Sequence, residues 1–461
     1  MQKNIQKTSR RIFFLLLGLA CVCPYGFSGD DRRYDITCFG AKGDSLTDNT
    51  GFINKAIETC AYEGGGTVRV PEGVFLTGTL FLKSGVHLYL EEGAVICGVS
   101  RLDAYASLSS DKAAPYYRVK SVRWNRALII GEKVSRIAIT GKGKIDGGHL
   151  EDEKGEEGLR GPHVIGLSRS SDIEISGITI RRASNYACMG YDLERAEFKS
   201  LTIEEGWDGI HIRGGKNIRI SECRFHTGDD AIAGGLWEHL SVRNCDLNSS
   251  CNGIRVIMPV REVEVEGCRF EGPGKYPHRT SGKRQRANML SGIIVQPGAW
   301  FSAPGKVENI SIRNCSFDRL DNPFLFTLNR GNEGKGIVLK NLKGHRLLRA
   351  AASIESWEEA SWQDIELSDI SLEYQENKET SPRNADRSEE PLRRPSTDYR
   401  PLPCWGLYLR NVENADLQNI RLLSTPPEDR PALYMEKVNR IRMKQVGTEK
   451  IGKIENKLNS K

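Results

Sequence analysis

The stretch NIRISECRF (217–225) decides the fold, because the same pattern returns along the chain at a nearly constant interval. Each copy alternates apolar and polar residues and then places a cysteine before one last apolar residue. The other copies are HLSVRNCDL (239–247), EVEVEGCRF (262–270) and NISIRNCSF (309–317). Their cysteines are separated by 22, 23 and 47 residues, the last interval being two periods with an insertion. A repeat of about two dozen residues is typical of a solenoid.

The repeating unit predicts strands rather than helices. Alternating apolar residues mark strands, and Gly and Asn between the copies mark turns. We therefore predict an all-β fold, a single-stranded right-handed parallel β-helix in which each coil lies about 4.8 Å from the next. The four cysteines are expected to stack inside as reduced thiols, although disulfides are the alternative in an exported protein. They are Cys223, Cys245, Cys268 and Cys315.

An amphipathic segment precedes the repeats, and two segments interrupt them. The residues TGFINKAIETCAYEGGGTVRVPEG (50–73) predict one short helix, a glycine turn and a strand. Such a helix would cap the open end of the solenoid, whose first coil otherwise exposes an unpaired strand edge. The segment 271–289 is basic and rich in Gly and Pro, and 375–403 is charged and rich in Pro. Both are predicted to be loops, either solvated excursions or walls of a substrate groove.

The N-terminal residues predict export. Residues 1–28 carry four cationic side chains and the apolar run IFFLLLGLACVC, which is typical of a signal peptide and too short to span a bilayer. We expect 29–461 to form one mature domain, a monomer that is secreted or periplasmic. A lipid anchor at Cys21 is the alternative, because GLAC is an imperfect lipoprotein-type site.

The overall charge excludes some classes of partner. The formal net charge of +6 falls to +2 when the four cations of residues 1–28 are removed. A nearly neutral protein gives no reason to expect nucleic acid or an anionic membrane surface as a partner. Any selectivity for a charged substrate must then be local.

Three carboxylates stand at a spacing that matches the coil. The stretch GWDGIHIRGGKNIRISECRFHTGDDAIAGG (206–235) has Asp208 and, 21 and 22 residues later, Asp229 and Asp230. In a coil of 22 residues Asp208 lies beneath Asp230, and Asp230 lies beneath Asn252. The apolar residues two positions later are expected to form an inward column of Ile210, Ile232 and Ile254. The period of the fold therefore gathers three carboxylates on one small patch.

Such a cluster suits acid–base chemistry. Like charges a few ångströms apart cannot all ionise easily, so at least one pKa in the cluster should rise. Inverting hydrolysis of a glycosidic bond needs one protonated carboxyl group for the leaving oxygen and one carboxylate, roughly 6.5–9.5 Å away, for water. An acidic Ca²⁺ site and a solvated ladder of turns are the alternatives.

Three phrases carry a resemblance to a known family. The opening YDITCFGAKGDSLTDNTGFINKAIETC (34–60), the phrase SNYACMG (184–190) and the pairing of DGI with TGDDAIA resemble glycoside hydrolase family 28, the polygalacturonases and rhamnogalacturonases. The resemblance implies a pectin-lyase-like right-handed β-helix and inverting hydrolysis without cofactor or metal. It also implies that Asp229 is the proton donor, and that Asp208 and Asp230 hold the nucleophilic water.

The chain departs from the family's pattern at three places. The family's Asn-Thr-Asp is here Gly206-Trp207-Asp208, and its Gly-His-Gly is here Cys251-Asn252-Gly253, so a histidine beside the acid is missing. The family's Arg-Ile-Lys, whose cations would clamp a sugar carboxylate, is replaced by GIIVQP (292–297). Ile294 and Gln296 occupy the two cationic positions, so homogalacturonan and another glycan, neutral or containing rhamnose, both stay open as substrates.

Further side chains near the patch are candidates for substrate contact. Arg255, one strand before GIIVQP, is expected to supply a cation, with Arg284 and Arg286 as further sources. Trp207 either stacks on a sugar face or fills a gap in the packing. The remaining candidates, each weighed against a surface role, are Asn252, His211, Arg213, His226 and Gln296.

The sequence therefore predicts a secreted inverting glycoside hydrolase of polygalacturonase type, acting on pectic or related polysaccharide. One alternative is a β-helix polysaccharide lyase, in which the carboxylates hold Ca²⁺ and an arginine such as Arg255 removes the proton. The other is a β-helix protein that binds glycans without cleaving them.

Overall fold

The computed structural model describes residues 32–109, 122–279, 286–298, 302–348, 351–375, 402–427, 429–448 and 454–457. The predicted signal segment, the alternative anchor at Cys21, the side chain of Arg284 and nearly all of the loop 375–403 lie outside the described residues.

Strands dominate the described chain and are numbered along it. The first coils contain β1 (Arg33–Asp35), β2 (Asp44–Asp48), β3 (Gly66–Val70), β4 (Gly73–Thr77), β5 (Leu80–Phe81), β6 (Val86–Leu90), β7 (Ala94–Gly98), β8 (Ala127–Glu132), β9 (Ser135–Gly141) and β10 (Lys144–Asp146). The middle coils contain β11 (His163–Ser168), β12 (Ser171–Ser176), β13 (Thr179–Arg181), β14 (Cys188–Lys199), β15 (Thr202–Glu204), β16 (Ile210–Ser221), β17 (Arg224–Thr227), β18 (Ile232–Arg243), β19 (Asp246–Ser249), β20 (Asn252–Val256), β21 (Val260–Glu266) and β22 (Arg269–Glu271). The last coils contain β23 (Ser291–Val295), β24 (Gly305–Asp318), β25 (Asn322–Leu328), β26 (Asn332–Leu347), β27 (Ala352–Ser356), β28 (Trp362–Gln375), β29 (Leu407–Thr425), β30 (Leu433–Thr448) and β31 (Ile454–Lys457).

The strands pair in parallel, each with a strand of the next coil, and form three stacks along the molecule. The first stack runs from β1 through β3, β6, β9 and β12 into β14. The second runs through β13, β15, β17 and β19 to β22. The third runs through β8, β11, β14, β16, β18, β20 and β23. The predicted all-β, right-handed parallel β-helix is confirmed.

The predicted capping helix is present as α1 (Thr50–Tyr62). It buries one face, Ile53, Ala56, Ile57 and Cys60, against the first coils. Short 3-10 helices lie at Ile36–Phe39, Leu102–Ala104, Val122–Asn125 and Glu156–Gly158. Among the described residues no helix is long and apolar enough to cross a membrane.

Inward-pointing side chains form columns that fix how the coils stack. Ile210 pairs with Ile232, and Ile232 pairs with Ile254, as the sequence predicted. All three are buried in the core. Burying one such side chain stabilises the fold by about 1.5–3 kcal/mol, and a shift of one residue would turn the column towards solvent. The column therefore fixes the position of the residues that precede it.

The four repeat cysteines lie in this interior as predicted. Each is buried, and all the cysteines of the described chain are free thiols. Each thiol donates to the carbonyl two residues earlier, for example from Cys223 Sγ to Ser221 O at 3.2 Å and from Cys315 Sγ to Arg313 O at 3.2 Å. The thiols thus act as small core side chains whose polar hydrogens are satisfied locally.

Candidate active site

The three aspartates lie where the chain passes from the second stack into the third. Asp208 precedes β16, the pair Asp229 and Asp230 precedes β18, and Asn252 begins β20. The backbone links these turns: Gly209 N donates to Asp230 O, and Ala231 N donates to Asn252 O, both at 2.9 Å. Asp208, Asp230 and Asn252 therefore occupy one position on three consecutive coils.

The structure brings the three carboxylates together. One oxygen from each lies within 4.8 Å of one oxygen from each of the others. Their side chains are mostly buried: Asp229 is 13% exposed, Asp230 6% and Asp208 4%. Asp229 is therefore the member of the cluster most accessible to a ligand.

Asp208 is held by a chain of two further side chains from its own strand. His211 Nδ1 lies 2.6 Å from Asp208 Oδ2, and Arg213 Nε donates to His211 Nε2 at 3.1 Å. An arginine can only donate, so Nε2 of the imidazole accepts and Nδ1 carries the ring proton. Burial, followed by the charge of Arg213, holds the pKa of His211 well below its usual value. His211 is therefore a neutral donor that orients Asp208.

Asp230 is held by the next coil. Asn252 Nδ2 donates to Asp230 Oδ1 at 2.7 Å, and the backbone N–H of Asn252 donates to the same oxygen at 3.2 Å. Arg255 Nη1 lies 3.6 Å from Asp230 Oδ2. Arg255 shares its strand position with Ala233 on the coil below, and the small alanine leaves the guanidinium room. The column of polar side chains formed by Asp208 and Asp230 thus continues into the next coil, at Asn252 and Arg255.

Asp229 faces two basic side chains that come from loops. Arg160 Nη2 donates to Asp229 Oδ2 at 3.3 Å, and His278 Nε2 lies 3.6 Å from Asp229 Oδ1. Arg160 follows the 3-10 helix Glu156–Gly158 and is also paired with Glu157. Each oxygen of this carboxylate therefore has its own basic neighbour.

The surroundings push the proton affinities of the three carboxyl groups apart. Burial, and then the charges of the other two aspartates, raise the pKa of Asp208 well above its usual value. Burial also raises the pKa of Asp230, against the opposing charge of Arg255. Burial alone would raise the pKa of Asp229, but the adjacent His278 and the charge of Arg160 bring it below the usual value. A proton in the free site thus favours Asp208 or Asp230.

Trp207 is packed away from solvent. Its residue is 1% exposed, and its ring is flanked by the guanidinium carbons of Arg160 at 5.2 Å and Arg279 at 4.6 Å. Cation–π contact of this kind stabilises by about 0.5–2 kcal/mol. The structure therefore places Trp207 beneath the two loop arginines, where it fills a gap between them and the coils.

Two other sequence candidates lie apart from the carboxylates. His226 Nδ1 lies 3.4 Å from Asn248 Oδ1, and His226 lines a surface cavity with Arg224, Asp246 and Glu271. Gln296 is buried just beyond β23, and its backbone N–H donates to Val256 O at 2.8 Å. Arg255 is paired with Ile294 in register, so the departure from Arg-Ile-Lys falls where the sequence placed it.

Sequence reasoning missed the residues that the loops contribute. Arg160 lies in a segment with no repeat and no motif, and His278 lies in the basic loop, from which only Arg284 and Arg286 were predicted as substrate contacts. Tyr186 lies in SNYACMG, and its ring stacks on His211 with centroids 4.8 Å apart. The position of Tyr186 two coils from Asp230 was readable from the period, but nothing in the sequence specified where the loops fold back.

A metal ion fits this site poorly. The three carboxylates, and also Asp229 with Cys251 and His278, place possible ligand atoms within 4.8 Å of one another. However, Arg160 and Arg255 already lie against Asp229 and Asp230, so a divalent cation would have to displace them or bind beside them. Burial, and then the charges of Asp230 and Asp229, also raise the pKa of the Cys251 thiol, which opposes formation of a thiolate ligand.

Comparison with known proteins finds a β-helix family model and sequences of polygalacturonase type. A family model described as right handed beta helix region matches residues 163–344. An exopolygalacturonase of Arabidopsis thaliana is 22% identical over 378 residues, 75% of this chain and 80% of that protein. An exo-poly-alpha-D-galacturonosidase of Dickeya chrysanthemi is 29% identical over 250 residues, but these are 43% of this chain and 41% of that protein. The chain thus spans less than half the length of the Dickeya enzyme.

Solved structures support the fold alone. The family 28 exopolygalacturonase of Yersinia enterocolitica aligns over 92% of this chain and 79% of its own, with a TM-score of 0.53 and 17% identity. The Streptococcus pneumoniae surface protein and adhesin PfbA aligns over 92% of this chain and 99% of its own, with a TM-score of 0.52 and 13% identity. The fold therefore occurs in an enzyme and in an adhesin. The curated relatives confirm the predicted resemblance of the chain to the polygalacturonases of glycoside hydrolase family 28.

Proposed function

We propose that the protein is a glycoside hydrolase of polygalacturonase type that cleaves pectic or related acidic polysaccharide. The observation that carries the proposal is the cluster of three mostly buried carboxylates within 4.8 Å, whose proton affinities are pushed in opposite directions. Pairs of titratable groups held at different pKa values are what general acid–base catalysis requires. Polygalacturonases among the sequence relatives support the same class of reaction.

Asp229 is proposed as the proton donor, with Asp208 and Asp230 activating water. Asp229 has the most exposed side chain of the three, so it is the one best placed to reach a glycosidic oxygen. His211 and Asn252 each occupy one oxygen of their aspartate, which leaves the other oxygen to accept a proton from water. In the reaction the donor loses its proton to the leaving oxygen, and the base gains one from the water that attacks the sugar carbon.

One observation favours a second allocation of the roles. Arg160 and the adjacent His278 favour the ionised form of Asp229 in the free site, whereas Asp208 and Asp230 take up protons more readily. In this second allocation Asp229 is the base, and the proton is given up by Asp208 or Asp230. A substrate bound above the patch would change these charges, so the two allocations are separated by kinetics rather than by the free structure.

Inversion is proposed from the resemblance. The carboxylate oxygens approach within 4.8 Å, which is closer than the roughly 6.5–9.5 Å usual between the carboxyl groups of inverting enzymes. Asp208 and Asp230 stack on neighbouring coils, so water would be bound between a pair of carboxylates rather than opposite a single one. The anomer formed first, followed by NMR, decides the stereochemistry.

The charged surroundings favour an acidic sugar over a neutral one. Arg160, Arg255 and His278 lie against the cluster, and Arg279 lies beside Trp207 at its edge. Arg286 also approaches Cys251, with Nη2 3.6 Å from the sulfur. Cations at a mostly buried site are screened little by salt, so they attract a carboxylate even though the whole protein is nearly neutral.

The lyase alternative is not favoured by the state of Arg255. Burial alone would lower the pKa of this guanidinium, but the charges of Asp230, Cys251 and Asp229 raise it above its usual value. A protonated arginine cannot remove a proton from a sugar. The arginines against the carboxylates also oppose the Ca²⁺ that such a lyase would use.

The test is incubation of the secreted domain with polygalacturonate, a rhamnose-containing pectic polymer and a neutral glucan. We expect new reducing ends from an acidic polymer, no absorbance from unsaturated ends, and full activity in the presence of a chelator. Ultraviolet-absorbing products that vanish with chelator would instead identify a lyase. Binding of a polymer without any product would identify a glycan-binding protein and overturn the proposal.

We propose export and a single mature domain from 29 to 461 as part of the same function, since a polysaccharide substrate lies outside the cell. The proposal is tested by the N-terminal residue of the mature protein and by its release into the periplasm or medium. Retention through a lipid on Cys21 would replace the signal-peptide assignment by the anchored alternative.

A further inference from the structure

The basic loop places an imidazole, that of His278, beside the carboxylate of Asp229. His278 lies outside every strand, yet its Nε2 is 3.6 Å from Asp229 Oδ1. On the coil wall beside the aspartates stand Cys251 and Asn252, neither of which can carry a positive charge. The imidazole nearest to Asp229 Oδ1 thus comes from a loop, whereas that of His211, against Asp208, comes from the repeat.

One coil side chain anchors the base of this loop. Asn248 Nδ2 donates to the carbonyls of Glu271 at 2.7 Å and Pro273 at 2.8 Å, and its Oδ1 accepts from Lys275 N at 2.8 Å. A single amide therefore satisfies three backbone groups of the loop. Such side chain to backbone bonds hold a segment that has no strand partners of its own.

The two arms of the loop are bonded to each other beside His278. Gly274 N donates to Ala287 O at 2.6 Å, and His278 N donates to Arg286 O at 2.9 Å. Arg286 in turn donates to the carbonyl of Ser250 on the coil. The backbone of His278 is therefore tied, through Arg286, to the turn that precedes Asn252.

The loop also sits directly on the turn that carries Asp229. A β-carbon added at Gly228 would lie 2.4 Å from Gly206 O and 3.0 Å from Pro277 O. Gly228 is therefore required because two carbonyls approach it closely, one from the coil below and one from the loop. Because Pro277 lies against Gly228, the residues that follow them in the sequence, His278 and Asp229, also lie against each other.

A second contact joins this loop to the loop on the opposite side. Arg279 forms an ion pair with Glu151 and lies 4.6 Å from the ring of Trp207. Arg160, from the same opposite loop as Glu151, reaches the other oxygen of Asp229. The two loops thus meet over Trp207, and each places a basic side chain against one oxygen of the Asp229 carboxylate.

We propose that His278 is a positioning residue of the hydrolase, which holds and polarises the Asp229 carboxyl group from a loop in place of an imidazole on the coil wall. The inference rests on the proposed function. It predicts that the described arms of the loop, 271–279 and 286–290, are a part of the catalytic apparatus and not a solvated excursion. It also predicts that Asn248, for which the structure describes no contact with the three aspartates of the site, supports catalysis by holding the loop.

The proposal has a consequence for the pH dependence of the reaction. The groups that face Asp229 are the bases Arg160, Arg255, His278 and His211, together with Asp208, Asp230, Cys251 and Tyr186. His278 is one of the groups that lower the pKa of Asp229, so its removal raises that pKa. If Asp229 is the donor, the alkaline limb of the kcat/KM profile moves to higher pH. If Asp229 is the base, the acid limb moves to higher pH.

The test compares His278→Asn and His278→Gln with the control His345→Asn. His345 forms an imidazole–carboxylate pair with Glu373 on the exposed surface, away from the site. We expect kcat of the His278 variants to fall by about 10–100-fold, KM to change by less than about threefold, and one limb of the profile to move upward. The control should keep the wild-type kcat and profile. Asn248→Ala keeps the imidazole but loosens the loop, so we expect it to lower kcat as well.

Three results overturn or separate the inferences. An unchanged pH profile with a raised KM would show that His278 only anchors the loop. Unchanged kcat and KM would remove it from the site altogether. If the wild-type protein cleaves no glycan, the proposed function fails, and NMR titration of the Asp229 carboxyl carbon then decides the inference alone: the pKa must rise in His278→Asn and stay unchanged in His345→Asn. Thermal melts that match the wild type exclude misfolding as the cause.

Discussion

At the scale of single residues, three chemically identical side chains are made different by their neighbours. Asp208 accepts from a neutral imidazole, Asp230 accepts from an amide, and Asp229 lies between a guanidinium and an imidazole. Only the last of these environments brings the pKa below its usual value. The carboxyl group with the lowered pKa is therefore set apart by Arg160 and His278, two side chains that were not part of the sequence motif.

The leaving group of the substrate separates the two allocations of roles. Asp229→Asn removes either the donor or the base, and in both cases we expect hydrolysis of polysaccharide to fall by about a thousandfold. An aryl glycoside with an acidic phenol needs no proton on departure, so loss of a donor leaves this substrate within about tenfold of wild type. Loss of a base slows both substrates equally. Wild-type turnover of the polysaccharide by Asp229→Asn would remove this residue from catalysis.

Asp208 illustrates the cost of a functional charge. Its pKa is raised in the folded protein, so the folded state binds a proton more tightly than the unfolded chain does, and ionisation above pH 4 lowers stability. We expect Asp208→Asn to raise Tm by about 2 °C at pH 7, to leave it unchanged near pH 3, and to abolish activity. Asp229→Asn should show no such gain, because the pKa of Asp229 is lowered. Calorimetry of both variants across pH 3–8 makes the comparison, and a higher Tm for Asp229→Asn alone would reverse the assignment.

The residue scale also shows what the sequence could not contain. The spacing of 21 and 22 residues in a coil of 22 was enough to place Asp208, Asp229 and Asp230 together. The same arithmetic fails for Arg160 and His278, because loops that leave the coil carry no period. His211 was predicted as a candidate for substrate contact or as a surface residue, but its role as a hydrogen-bond donor to Asp208 depends on a rotamer that alternation alone does not give.

At the scale of elements, the turns set the length of each coil. The turn residues Ser200, Glu222, Asn244 and Gly267 follow one another on successive coils, and all have positive φ, from 52° to 65°. The left-handed conformation costs an ordinary L-residue about 1–2 kcal/mol, whereas Asn and Gly tolerate it. These turns therefore share a left-handed backbone conformation, although only some of the residues at this position favour it.

Glu222 is the least suited of these residues to its conformation, with φ of 56°. We expect Glu222→Asn to stabilise the fold by about 0.5–1 kcal/mol, since the lost bond to Ser200 Oγ is exposed and contributes little. Glu222→Ala serves as the control, because it removes the same bond without supplying a residue that favours the left-handed region. Urea denaturation measures both variants. Equal stability of the two would show that the turn stores no such strain.

At the scale of the whole molecule, the strands of each described coil pair with strands of the neighbouring coils. The site uses three consecutive coils, at the starts of β16, β18 and β20, and two loops that fold over them. Coils from β25 onward contribute no contact described for the three aspartates. In a solenoid, stability is approximately a sum of local coil terms and nearest-neighbour terms. The fold could be predicted from the sequence because the coils of this linear repeat share the same pattern of apolar and turn residues.

The separation of site and C-terminal coils is tested by a substitution in the distant core. Trp362 begins β28, is fully buried, and donates from Nε1 to Glu355 O at 3.0 Å. Trp362→Ala should destabilise its own and adjacent coils by about 3–5 kcal/mol, because a large cavity replaces the indole. We expect faster hydrogen exchange in 322–375 and 402–448 but wild-type protection in 188–256, with kcat at 25 °C unchanged. Equal loss of protection in the coils of the site would mean that the solenoid unfolds as one cooperative unit, and the local account of its stability would be wrong.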